Sequence, residues 1–179
     1  MPRGPAALLG YNTRMLLSFL LWLHLLGVVA WIGGIAYILL VLMPAMPKIA
    51  LRDRANFVPL TLRRFLRVVW IAVTVILVTG LCRAFTIWPA GEASFWTTPL
   101  GRILGEKLGM VVLILGVVLS VTLRAVPRAI AHVATHKDDP ADAYACKQCA
   151  TIIGSLKRHL QIGLAIALVI IFWAVRLRG

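Results

Sequence analysis

Acidic side chains are scarce in this chain: six Asp and Glu stand against 19 Lys and Arg, and charged residues make up only 14% of 179. An ordinary soluble domain is about one-quarter charged. With so few carboxylates, and none deep in an apolar run, paired-carboxylate catalysis and a carboxylate proton relay are excluded. There is no Gly-rich phosphate loop and no H-E-x-x-H, so nothing reads as a hydrolase. The three cysteines, Cys82, Cys146 and Cys149, are too few and too unevenly spaced for a disulfide scaffold. No internal repeat or low-complexity tract is visible. The pI of 11.1 would point a soluble protein toward nucleic acid. Here the basic residues sit between long apolar runs, with no aromatic interleaving on a polar surface. The expected partner is therefore anionic lipid, and no nucleic acid.

What the chain has in abundance is apolar length. Hydrophobic residues make up 61% of it, and the mean hydropathy is +0.92. A spanning helix needs about 20 mostly apolar residues, and four segments qualify: 15–43, closed by Pro44 and Pro47; 65–82; 103–123; and 159–175. The Val- and Ile-rich second segment would favour strand in water. In lipid the backbone must satisfy itself, and helix wins. The first run is much longer than a signal-peptide core of about 7–15 residues and has no small-x-small cleavage site, so it reads as a retained helix. The fold expected is an all-α, integral membrane four-helix bundle, residues 1–179 forming a single transmembrane domain in a cell inner membrane.

Charge sets the orientation. Lys48, Arg52, Arg54, Arg63, Arg64 and Arg67 cluster in the first loop, and Arg124, Arg128, Lys137, Lys147, Lys157 and Arg158 in a long third loop, 124–155. The positive-inside rule puts both in the cytoplasm, which leaves both termini and the segment around Trp88–Trp96 on the outer side. Trp88, Trp96 and Trp173 fit an interfacial belt. Pro140, with Asp138 and Asp139, marks a turn.

His24 lies well inside the first span, and an ionisable residue at membrane depth is a functional candidate by default. By helical rise it sits roughly 7 Å to the outer side of that helix's middle. Lys107 and Met110, three apart and on one face near the start of the third span, fall in a similar outer layer. Cys82 is shallower. His24 with Met110 suits Cu(I), or the two axial positions of a haem, and a neutral Lys107 could replace Met110. The alternatives are packing for Met110, and snorkelling or pairing with Glu106 for Lys107. His159 sits at the opposite depth, something like 20 Å from His24 along the normal, so one haem iron cannot bridge the two. In the third loop, Cys146-Lys-Gln-Cys149 has the spacing for one soft metal, with His132 and His136 at i, i+4 upstream. The pair equally reads as two reduced thiols, and Ala150 excludes a c-type haem motif. Met43 and Met46 offer two thioethers at the inner end of the first span. Helices two and three otherwise offer only Thr74, Thr79 and Ser120 at mid-membrane depth.

In order along the chain, His24-Leu-Leu-Gly-Val-Val-Ala-Trp31-Ile-Gly33-Gly34, then Arg63-Arg64-Phe65-Leu-Arg67-Val-Val-Trp70 with Leu77-Val-Thr79-Gly80-Leu81, then Gly101-Arg102 with Lys107-Leu108 resemble the first three helices of the CopD-like copper-resistance membrane proteins. The resemblance spans about residues 17–128. It implies an inner-membrane helical bundle linked to copper uptake or tolerance, working with a periplasmic copper protein or within a larger membrane complex. A more distant similarity is to the HemJ-type protoporphyrinogen oxidases, which bind haem b. There His24 would correspond to a haem-ligating histidine and Lys107 to a basic residue of the third helix. Three readings follow: a copper-handling protein, a haem-b protein carrying electrons or oxidising a porphyrinogen, and an accessory subunit in which Gly33, Gly34, Gly80 and Gly116 serve packing.

Overall fold

The computed structural model describes residues 5–87, 97–135 and 147–176, and every regular element among them is helical. Four helices are long and apolar enough to cross a membrane. They are α1 (Pro5–Tyr37), α2 (Leu51–Ile87), α3 (Pro99–Ser120) and α4 (Lys147–Arg176). The protein is an all-α, multi-pass membrane protein. The segment from Trp88 to Trp96 and the turn at Asp138–Pro140 lie outside the described residues.

The helices overrun the limits expected from hydropathy, and the reason is physical. Hydropathy marks the length that sits in hydrocarbon, whereas a helix continues until something stops it. α2 starts at Leu51, with Asp53 in its first turn favourably placed against the helix dipole. α3 starts at Pro99 because Thr98 caps it: the Thr98 hydroxyl accepts the Gly101 N–H at 3.0 Å, and Pro99 occupies the first helical position, where a missing N–H costs nothing. The expected third loop, 124–155, is largely helix. α3 runs on through a π turn at Val121–Ala125 into a helical segment Val126–Thr135, and α4 already begins at Lys147. Alanine, lysine and glutamine in these stretches are good helix formers.

Pro44 does not close the first helix. A π turn, Ile38–Leu42, precedes it, and helical turns continue over Met43–Ala45 and Met46–Lys48 until the chain turns extended at Ile49. A proline has no N–H for the carbonyl four residues back and crowds that carbonyl. The helix responds by widening: the Met43 N–H, one residue before Pro44, reaches back to the Ile38 carbonyl. The same solution recurs at Pro127, where the Val126 N–H bonds to the Val121 carbonyl.

Two compact units are present. The first, Met1–Trp31 with Val68–Leu104, contains the N-terminal part of α1 and the C-terminal part of α2. These two helices approach closely at Gly27, where a Cβ would lie 2.9 Å from Ile76 Cγ1 and 3.2 Å from the Ala72 carbonyl oxygen. Small residues at such crossings are how helices pack without a hydrophobic driving force. Trp31, Val69, Ala72 and Val73 are buried in the same unit. In the N-terminal half of α1, Arg83 Nη1 donates to the Leu17 carbonyl at 3.1 Å.

The second unit, Ile32–Arg67 with Gly105–Gly179, contains parts of all four helices. Gly34 admits the Phe65 ring, and Gly163 lies against Val117. α4 packs on both π turns, which bury Ile38, Val121 and Ala125, with Leu156 and Leu160 buried on α4 itself. Outside these seams the apolar side chains face outward: Val29, Leu40, Ile71, Phe85, Val112 and Leu123 are each more than 60% exposed. Such a surface is stable only in hydrocarbon.

The glycines provide a test of the first unit. Gly27→Val should lower thermal stability in detergent by about 1–3 kcal/mol through overpacking. Gly33→Ala and Gly116→Ala should not, because a Cβ at either position meets nothing within 4 Å. A melting series in which Gly27→Val matched the other two would refute the close approach.

Candidate functional site

His24 is held by α2. The Nδ1 atom lies 3.1 Å from the Ile76 carbonyl oxygen and 3.0 Å from Thr79 Oγ1. A carbonyl oxygen can only accept, so Nδ1 carries the hydrogen. Thr79 is consistent with this assignment. Its hydroxyl donates to the Val75 carbonyl at 2.6 Å, which leaves a lone pair on the oxygen to accept from His24. The Nδ1–H is therefore shared between two acceptors, and in the neutral ring the lone pair belongs to Nε2. Thr79 is 4% exposed and is the buried polar residue among those described.

The ring also needs room. It lies over Gly80, where a Cβ would be 3.3 Å from His24 Cε1. A side chain at 80 would require the imidazole to give by a few tenths of an ångström. Cys82, two residues further along α2, is about 200° round the helix from Gly80 and is exposed, so it does not join His24. Trp31 lies two turns from His24 on the same face of α1. It is 6% exposed, and its Nε1–H has no hydrogen-bond partner among the described residues.

His159, in the second unit, is tied differently. Its Nδ1 donates to the Ser155 carbonyl one turn back at 2.7 Å, and its Nε2 accepts the Ser120 hydroxyl at 3.1 Å. Both ring nitrogens are used, and the second bond joins α4 to α3. Sequence reasoning placed His159 at the opposite depth from His24 and missed this partner. The available signal was that Ser120 is a lone hydroxyl on the apolar face of α3.

The other sequence-predicted donors are distributed as follows. Lys107 and Met110 are half-buried on α3 in the second unit, while His24 belongs to the first. His132 is half-buried in the Val126–Thr135 helix, and Cys149 is 5% exposed in the first turn of α4. His136 and Cys146 lie outside the described residues. Met43 and Met46 are half-buried beside Pro44 and Pro47. Among the described residues, no group of three or more His, Cys, Asp or Glu is placed to hold a metal.

The two histidines make separable predictions, beginning with His159. His159→Ala should cost about 1–2 kcal/mol of stability, since it removes a cross-helix bond and leaves Ser120 without it. Ser120→Ala in the same melting assay should be milder, and a His159→Ala protein as stable as wild type would refute the clamp.

A search of curated proteins finds no match, and a search of solved structures finds none. The family described as CopD, Copper resistance protein D, does match, over residues 59–177. The matched segment takes in α2 from Pro59, all of α3 and α4, and with them Thr79, Gly80, Lys107, Met110, Ser120 and His159. It starts after α1, so the His24–Gly34 stretch that also resembles this family lies outside it. With two-thirds of its length matched, on the three helices that carry these side chains, the chain belongs to the CopD copper resistance protein family.

Proposed function

We propose that this protein moves copper across the inner membrane, with His24 Nε2 as one ligand to Cu(I). Membership of the CopD family supports copper as the cargo, and the observation that carries the reading is the hydrogen-bonded Nδ1 of His24. A histidine whose Nδ1–H is donated to protein oxygens is the form in which metal-binding imidazoles are held, with Nε2 turned to the metal. Met110 and Lys107 on α3, and the Cys146–Cys149 pair with His132 and His136, are the further donors we assign to copper. Each is to be judged by its own substitution.

Local charge favours the lower oxidation state. Arg83 reaches the Leu17 carbonyl, seven residues and so roughly 10 Å along α1 from His24. A nearby guanidinium opposes Cu(II) about twice as strongly as Cu(I), because the repulsion scales with the charge on the ion. Imidazole and thioether donors add to the same preference. With the basic segments in the cytoplasm and both termini outside, copper would arrive at the His24 end from a periplasmic copper protein. It would leave near Met43, Met46 or the cysteine pair, which is uptake.

The test is a Cu(I) titration of the purified protein against a chromophoric chelator under anaerobic conditions. Wild type should hold copper, and His24→Ala should bind it at least tenfold more weakly. Cells producing the wild type should accumulate more copper than cells producing His24→Ala. A reduced-minus-oxidised spectrum with a Soret band and sharp α-bands would overturn this reading in favour of haem b. An unchanged affinity in His24→Ala would remove His24 from it.

A further inference from the structure

The basic ends of α3 and α4 belong to one unit, and the Ser120–His159 bond fixes their register. Val117 meets Gly163 one turn away, so the two helices run antiparallel there. Arg124, one turn past Ser120, therefore comes level with Ser155, and Arg158 adjoins His159 itself. Arg128 continues the row on α3. Lys147 shares the Arg158 face of α4, three turns away. All four cations are exposed, whereas Val121, Ala125, Leu156 and Leu160 are buried on the inward faces of the same helices. None of the four has an ion pair or a side-chain hydrogen bond among the described residues. The carboxylates described, Asp53 and Glu106, pair with none of them. Gly154, one turn from Arg158, leaves room beside the row, since a Cβ there would meet nothing within 4 Å.

We propose that this edge of the α3–α4 seam binds a membrane phospholipid whose headgroup carries two phosphates, as cardiolipin does. The proposal goes beyond the copper reading and uses none of the donors assigned to metal. Charge complementarity supplies the anion: unpaired cations at a membrane boundary attract phosphate headgroups. The flanking surface supplies the rest of the ligand. Leu123, beside Arg124, is 68% exposed, and Ile162, one turn beyond Arg158, is 46% exposed. Both need hydrocarbon, which a lipid brings and a soluble anion does not. The two arginines come from different helices, and each guanidinium can take two oxygens of one phosphate. When the phosphates are linked, binding of the first holds the second at high local concentration. Two separate monophosphate lipids lose that gain. Arg63 and Arg67 offer an internal comparison, since they place equal charge on the single helix α2. They attract anionic lipid in general, with no such preference for linked phosphates.

The experiment titrates detergent-purified full-length protein with cardiolipin and with phosphatidylglycerol at equal phosphate, and counts bound lipid by native mass spectrometry. Wild type should retain cardiolipin with a preference of about tenfold or greater, the low end of the gain from linking two contacts. Arg124→Gln/Arg158→Gln should lower cardiolipin affinity about 25-fold, or about fivefold for each cation lost, and abolish the preference. Arg63→Gln/Arg67→Gln removes the same charge from α2 and should leave the preference intact. Inorganic pyrophosphate, two phosphates without acyl chains, should not displace the lipid. Equal affinity for the two lipids in wild type overturns the proposal. So does a preference that survives in Arg124→Gln/Arg158→Gln or is lost in the α2 variant. Displacement by pyrophosphate overturns it in favour of a soluble anion. If Arg124→Gln/Arg158→Gln does not fold, Arg124→Lys and Arg158→Lys decide, because each keeps the charge and loses the two-pronged donor. Each should reduce the preference, and an unchanged preference in both overturns the proposal.

Discussion

In hydrocarbon there is no water to take up an unpaired backbone or side-chain polar group, and each such group left alone costs several kcal/mol. The structure repeatedly meets this constraint with one resource, the second lone pair of a helical carbonyl. Thr79 donates to Val75 O, His24 to Ile76 O, His159 to Ser155 O and Arg83 to Leu17 O. The two π turns answer the same demand in the backbone itself. Pro44 and Pro127 each remove a donor, and each helix widens so that the preceding N–H still finds a carbonyl. Helices that end in water can leave such groups to solvent, whereas these must resolve them internally.

That constraint also separates His24 from His159. Each donates from Nδ1 to a carbonyl, so each has the same tautomer. What differs is the hydroxyl beside it. Thr79 meets Nδ1 of His24 beside the Ile76 carbonyl. Ser120 engages Nε2 and converts His159 into a tie between α3 and α4. A single hydroxyl oxygen meets Nδ1 of His24 in one case and Nε2 of His159 in the other. Gly80 belongs to the same arrangement, because a Cβ there would lie 3.3 Å from His24 Cε1 and crowd the ring.

Much of the fold was legible from residues alone. Apolar runs around His24, Val69, Val112 and Ala167 give four spans, since crossing length and hydropathy depend on composition more than on contacts. Helix ends were less legible. Pro44 reads as a stop, and only the geometry of a widened turn lets the helix pass it. The segment from Arg124 to Ser155 reads as a loop because charge and hydropathy cannot distinguish helix outside the bilayer from coil. Thr98 before Pro99 is a cap signature that could have placed the start of α3 correctly. For the site, His24 stood out by its cost at depth, but Thr79 was one hydroxyl among several in apolar surroundings.

The amino-acid sequence by itself determined that this is an all-helical protein of the membrane, where its basic segments cluster, and its kinship with the CopD family. These follow from residue type and order, which act locally or through the solvent. Only the tertiary structure decided which glycines are contacts: Gly27, Gly34 and Gly80 meet another helix, while Gly33 and Gly116 face open space. It also decided which oxygens face Nδ1 of His24 and that His159 meets Ser120. Those are questions of rotation about a helix axis and of distances near 3 Å between residues 39 to 55 apart in the chain, and no local pattern carries that information.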